Sequence, residues 1–394
     1  MNLADRLARI KEPQTIQMSK MARAVQAEGH DVISLSLGEP DFATPSHIIE
    51  AATQAMHDGY TKYTPVAGMP ELREAIAKKL KRDNNLDYKP SQIMVSTGAK
   101  QSLANAILSL INPGDEVLVP TPYWVTYRGL VELAEGTVVE VRTAKENEYK
   151  LTAAELEAAI TAKTKAFVFS SPCNPSGSVY THEELEALVK VFEKYPNIYI
   201  ISDEIYEYIN FQGKHFSIAS FESIKDRVII INGLSKGFSM TGWRLGYLAG
   251  PENLVNACDK LQGQFTSGAN SITQRAAIVA LTASLEPTYA MRDEFKKRRD
   301  YVVNFLEQIP GIEIDMPEGA FYAFPDVSKY FDGEEIKNSE DFCLMLLNEA
   351  HVSTVMGSAF GEPNCIRISY ASSMEKLEEA MQRIKKILDA KRRF

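Results

Sequence analysis

Between about residue 70 and residue 250, seven short apolar runs alternate with segments of helical periodicity. This is the pattern of a mostly parallel sheet covered by helices on both faces. The runs are residues 92–96, 116–120, 138–142, 166–170, 199–202, 228–232 and 245–249. In such a sheet ligands bind in the crevice beyond the carboxyl ends of the strands. The segments after the runs are therefore the ones that matter: 97–100, 120–122, 171–177, 203–204 and 233–236, each dense in turn formers or polar groups. On one edge of one sheet they would build a pocket.

A chain of 394 residues exceeds the size at which one hydrophobic core usually stops growing. After about residue 290 the pattern changes to a charged helix at 291–308, short strands at 320–324 and 365–370, and a closing helix around 377–388. This predicts a large domain over 46–290 and a smaller α+β domain formed by 1–45 with 291–394.

Composition removes several classes. The net charge is −9, and the one dense basic run, 391–393, ends a helical pattern. A helix dipole accounts for cations there, so no nucleic-acid partner is expected. Four scattered cysteines, without C-x-x-C pairs or metal-ligand spacing to the six histidines, predict no metal and reduced thiols in a cytoplasmic protein. Charges at Asp5, Arg6, Arg9, Lys11 and Glu12 interrupt any signal-peptide stretch, and no run is long enough to span a membrane.

The segment 232–247 puts Lys236 in a Gly/Ser-rich loop after an apolar strand, with Arg244 eight residues on. An aldehyde cofactor needs a lysine amine poised to lose its proton, and a phosphate suits a planar bidentate cation. The ordinary alternative is a solvated loop lysine. The same segment satisfies G-x-S-x-G, which would make Ser235 a serine-hydrolase nucleophile. That motif requires a helix directly after the serine, then an acid and a histidine. Here Thr241, Gly242 and another strand follow, and the only downstream histidine is His351.

With the stretch Gly38, Glu39, Pro40, Asp41 and Phe42, together with Tyr63 and Arg367, the chain resembles the class I pyridoxal-phosphate aminotransferases (fold type I) nearly end to end. The resemblance is greatest to the bacterial aspartate/prephenate aminotransferase subgroup. It implies pyridoxal 5'-phosphate held as a Schiff base on Lys236, which also shuttles the reaction's proton. It further implies Asp203 on the pyridine nitrogen, Tyr206 and Asn174 on the phenolate oxygen, and Trp124 stacked on the ring. The phosphate would rest on the backbone of Gly98, Ala99 and Lys100 with Ser235 and Arg244, and Tyr63 would reach it from a neighbouring subunit of a homodimer. Arg367 would grip the substrate α-carboxylate, assisted by Asn174 and the backbone at Gly38. The family often carries a hydroxyl where this chain has Ala99 and Gly233. Taken singly, Asp203 also reads as a helix cap, 171–177 as a plain turn, Trp124 as core and Arg367 as a structural ion pair.

The resemblance points to aspartate and 2-oxoglutarate as the substrate pair, with prephenate, aromatic or broad-specificity transamination as alternatives. A non-catalytic cofactor-binding sensor is the alternative outside enzymes. Lys100 falls in a first helical turn, where a cation is disfavoured unless an anion is near. The related dicarboxylate enzymes use a lysine there for the distal carboxylate, with Lys11 and Thr15 at matching places. Otherwise Lys100 is a solvated lysine.

Overall fold

The computed structural model describes residues 4, 6–10 and 12–392. Among them, seven strands form the largest sheet: β1 (Ile93–Ser96), β2 (Glu116–Pro120), β3 (Thr137–Val141), β4 (Thr164–Ser170), β5 (Tyr199–Asp203), β6 (Val228–Gly233) and β7 (Gly246–Ala249). Their order is β1-β7-β6-β5-β4-β2-β3. All neighbours run parallel except β7, which is antiparallel to both β1 and β6. The last strand starts at Gly246, one residue later than its apolar pattern suggests, and Arg244, two residues before it, takes a left-handed φ of 56°.

Alternate residues of these strands enter two cores. Ile93, Val95, Leu118, Phe167, Phe169, Ile200, Val228 and Ile230 point to one face. Met94, Val117, Val119, Ala166, Val168, Ile201, Ile229, Ile231 and Leu248 point to the other, where they meet Leu103, Ala106 and Ile107 of the helix Ala99–Leu110. With both faces covered, neither set needs polar residues between its members.

A third core joins Met18, Val32 and Leu35 to Val302, Leu306, Phe342, Val352, Ile366, Leu377 and Ile384. The N-terminal segment thus packs with the C-terminal part of the chain. Ile33–Ser34 pairs in parallel with Val352–Ser353, and Tyr322–Ala323, Val355–Met356 and Ile366–Ser369 form a small antiparallel sheet. The charged helix is Glu286–Leu306 and runs unbroken through residue 290. The closing helix is Met374–Lys391, capped by Ser373, whose side chain accepts from Lys376 N.

One buried network fixes the turn after β5. Lys79, on the helix Pro70–Asn84, contacts the Glu207 carboxylate and donates to Asn84 Oδ1 at 2.9 Å. Glu207 also accepts from Asn84 Nδ2 (3.0 Å) and Asn232 Nδ2 (2.9 Å). Removing one member of a buried pair strands the other charge. Lys79→Met should therefore destabilise the fold by ~3–5 kcal/mol, read as a lower denaturant midpoint. The double variant Lys79→Met, Glu207→Leu should recover much of the loss.

Candidate active site

The carboxyl ends of β1, β2, β4, β5 and β6 converge on a cleft of about 460 Å³, closed on the far side by residues of the N- and C-terminal segments. Arg244 joins them because β7 is antiparallel. Its first residue, Gly246, pairs with Ser96 at the end of β1 and Gly233 at the end of β6, so Arg244, two residues before β7, lies at the same edge.

Lys236 reaches into this cleft and donates to the carbonyl of Gly38 at 2.5 Å. Burial, and then the Arg367 cation, push its ammonium down to about 8, with Glu39 opposing. The amine is half-buried in the cleft, bonded to a backbone carbonyl and close to losing its proton, which does not fit a solvated loop lysine. Asp203 ends β5 and is buried. Burial pushes its carboxyl up to about 6, against hydrogen bonds from Tyr127 Oη (2.9 Å) and Ile205 N (3.3 Å). Among the described residues no ion pair involves it. Residues 205–208 form turns and no helix, so the cap reading lacks its helix. Ser235 likewise leads into turns, and no histidine lines the cleft, which leaves the hydrolase reading without a base.

A helix N-terminus that could receive an anion lies where β1 meets the helix Ala99–Leu110. Gly98, at φ 88°, lets the Arg244 guanidinium come so close that a Cβ would lie 2.4 Å from Nη2. Ala99 N packs so tightly on Gly246 that a Cβ on that glycine would lie 2.1 Å away. Gly233, where a hydroxyl residue was the family's habit, faces the same crowding: its Cβ would meet Gly246 Cα at 2.9 Å. The departure therefore follows from strand packing. Helix N-termini with exposed N–H groups attract anions, and Ser235 and Lys100 line the same end of the cleft.

Arg367 is buried. Its Nη1 donates to Asn174 Oδ1 (2.9 Å) and its Nη2 to the carbonyl of Ser36 (2.8 Å), while Nε has no partner. No carboxylate pairs with it among the described residues, so it is not a structural ion pair. Engaging Asn174 through its oxygen turns that side chain's NH₂ away from Arg367. Trp124 is half-buried, lines the cleft and meets Tyr127 edge-on at 5.8 Å. Lys100 is exposed as a residue, but its Nζ sits 4.9 Å from the Trp124 ring centroid, where partial desolvation, then Arg244, lower its pKa. Thr15 lines the cleft as well. Lys11 lies outside the described residues. Tyr63 is 98% exposed and does not line this chain's cleft.

Two tyrosines in the cleft were not anticipated. Tyr127 follows Trp124 by three residues, a spacing that brings both to one face of a turn. Tyr322 falls inside the expected strand 320–324, where alternation alone does not say which face looks onto the cleft. Its Oη is 2.8 Å from Tyr206 Oη.

A family model described as aminotransferase class I and II matches residues 30–384. A probable aspartate/prephenate aminotransferase of Rhizobium leguminosarum bv. phaseoli is 48% identical over 395 residues, covering 98% of this chain and 99% of that one. The crystal structure of an aspartate aminotransferase from Rhizobium meliloti superposes with a TM-score of 0.96 at 41% identity, over 99% of each chain. An aspartate aminotransferase from Thermus thermophilus, with maleate, superposes with a TM-score of 0.93 at 38% identity, over 98% of this chain and 100% of that one.

Proposed function

We propose, from the premise that this chain belongs to the class I and II aminotransferases, that it moves an amino group between aspartate and 2-oxoglutarate with pyridoxal 5'-phosphate as cofactor. The observation that carries the cofactor reading is a buried carboxylate, Asp203, without an ion-pair partner among the described residues, in one cleft with the half-buried amine of Lys236. Asp203 would find its missing cation in a protonated ring nitrogen.

When bound, the cofactor supplies an aldehyde for the amine and a ring that takes up the electron pair released at the substrate's α-carbon. Lys236 would hold it and, once substrate frees its amine, would move the α-proton. Asp203 would keep the ring nitrogen protonated. Tyr206 and the Asn174 NH₂ would donate to the phenolate oxygen. The N–H groups of Gly98, Ala99 and Lys100, with Ser235 and Arg244, would hold the phosphate, and Trp124 would pack against the ring. Arg367, which lines the cleft without a carboxylate partner among the described residues, would bind the α-carboxylate, assisted by Asn174 and Gly38.

Residues 46–290 form the cofactor domain in this reading, and 1–45 with 291–394 close over it. The active unit is a homodimer in which the exposed Tyr63 serves a second copy's cleft. Unpaired cysteines fit a cytoplasmic location. Among the described residues no helix is long and apolar enough to cross a membrane.

Two observations favour a dicarboxylate substrate: the Lys100 cation in the cleft and the maleate carried by the Thermus relative. The Rhizobium relative's name adds prephenate, itself a dicarboxylate, as a second acceptor to test. A panel of amino donors assayed with 2-oxoglutarate tests the reading. Aspartate should lead the panel. Lys100→Ala should lower kcat/KM for aspartate and glutamate by roughly 10–100-fold, the worth of a charge-assisted hydrogen bond, and leave aromatic donors nearly unchanged. Equal loss for all donors would assign Lys100 to the phosphate; no loss would remove it from substrate binding.

A further inference from the structure

We propose that Tyr322 is a positioning residue for this reaction, supporting through one side chain both the Tyr206 phenol and the Arg367 guanidinium. The inference rests on the cofactor reading above. Tyr322 lies directly across from Ser369 in an antiparallel pair. Arg367, two residues before Ser369, therefore projects from the same face as a diagonal neighbour. The guanidinium carbon sits 4.4 Å from the Tyr322 ring centroid. At its other end, the Tyr322 hydroxyl is 2.8 Å from that of Tyr206, with both side chains buried.

The direction of that hydrogen bond follows from the chemistry of the cleft. Tyr206 can donate its own proton to a cofactor oxygen only if Tyr322 is the donor within the pair. A hydroxyl that accepts one hydrogen bond becomes a better donor of the next. Tyr322 thus strengthens the hydrogen bond that Tyr206 makes, without touching the cofactor.

Gly38 explains how Tyr322 fits. A Cβ on Gly38 would lie 2.5 Å from the Tyr322 hydroxyl. The carbonyl of the same residue accepts from Lys236 Nζ, and Ser36, two residues earlier, accepts from Arg367. Glycine at position 38 is needed to admit the hydroxyl between this loop and Tyr206. That is a different reason from the substrate contact the sequence suggested.

The test is a pH titration of the visible absorption of cofactor-loaded protein without substrate. The midpoint reports the proton on the nitrogen joining Lys236 to the cofactor. The charged and titratable groups acting on Lys236 are Asp203, Glu39, Arg244 and Arg367, with Tyr206 also facing it; Tyr322→Phe leaves all of them in place. The variant should raise the midpoint by about 0.5–1 pH unit, the effect of one hydrogen bond of ordinary net strength. In a Tyr206→Phe background the same substitution should add nothing, because its effect passes through Tyr206. Gly38→Ala, which crowds the hydroxyl from the opposite side, should shift the midpoint in the same direction. Tyr322→Leu, which also removes the ring, should weaken maleate binding about 3–30-fold, whereas Tyr322→Phe should leave it nearly unchanged. An unmoved midpoint in Tyr322→Phe, or an equal shift in the Tyr206→Phe background, overturns the role. Wild-type protein that shows no visible band at all overturns the cofactor reading, and this role with it.

Discussion

Lys236→Ala should lose about 10⁴-fold or more of transaminase activity, the upper end of what a positioned general acid–base contributes, because in the proposed mechanism the same amine would also hold the cofactor. The loss should come without unfolding, since the side chain fills a cleft and not a core. The stability of the cofactor-free protein should in fact rise at neutral pH. Burial lowers the Lys236 pKa from 10.5 to about 8, so the folded state disfavours the charged form. That penalty is fully present below pH 8, shrinks as pH rises, and vanishes above 10.5. It is on the order of 3 kcal/mol. Thermal or denaturant unfolding of cofactor-free protein at pH 7 and pH 10.5 would show the gain and its disappearance. Activity near wild type in Lys236→Ala would remove this residue from the chemistry.

The second large effect is expected at Asp203. Asp203→Asn preserves shape and keeps acceptor and donor atoms, so the protein should still bind the cofactor. It should lose roughly 10²–10³-fold in kcat, as when one preorganised charge is taken from a buried site. The stability change is again opposite in sign. Burial raises the Asp203 pKa from 3.8 to about 6, so here the ionised form is disfavoured. The penalty is fully present above pH 6 and fades as pH falls toward 3.8, again on the order of 3 kcal/mol. Cofactor-free Asp203→Asn should therefore outlast wild type at pH 8, with the gap closing below pH 6. Cofactor binding should reverse the order, because a cation beside the carboxylate converts its burial from a penalty into an ion pair. Unchanged kcat in the variant would make Asp203 a structural residue.

The large sheet was legible from sequence because all its strands but the edge strand β3 are buried on both faces, so they appear as compact apolar runs between turn formers. The short strands of the terminal segments were less so. Ile33–Ser34, Val352–Ser353 and Val355–Met356 are two-residue ladders, defined by their tertiary partners and too short for any periodicity to mark. The turn after Asp203 was read as a possible helix start. Glu204 N instead bonds the carbonyl of Ile231, continuing the ladder with β6, and Glu207 is held by Lys79 and Asn232. Those long-range partners outweigh local propensity.

At the site, Lys236, Asp203, Asn174 and Arg244 were legible because they follow or precede strands at one sheet edge, which topology alone brings together. Arg367, Gly38 and Thr15 come from segments far off in sequence, and only the resemblance suggested them. That Arg367 keeps an unpartnered Nε, or that Gly38 gives way to a tyrosine hydroxyl, depends on three-dimensional packing that no pattern in the chain encodes.

The most direct test of the account is to load the purified protein with pyridoxal phosphate, reduce it with borohydride, and map the modified peptide. The account predicts a visible absorption band that reduction abolishes, with the cofactor fixed on Lys236. Protein that stays colourless with added pyridoxal phosphate, or a label on any other lysine, would contradict it.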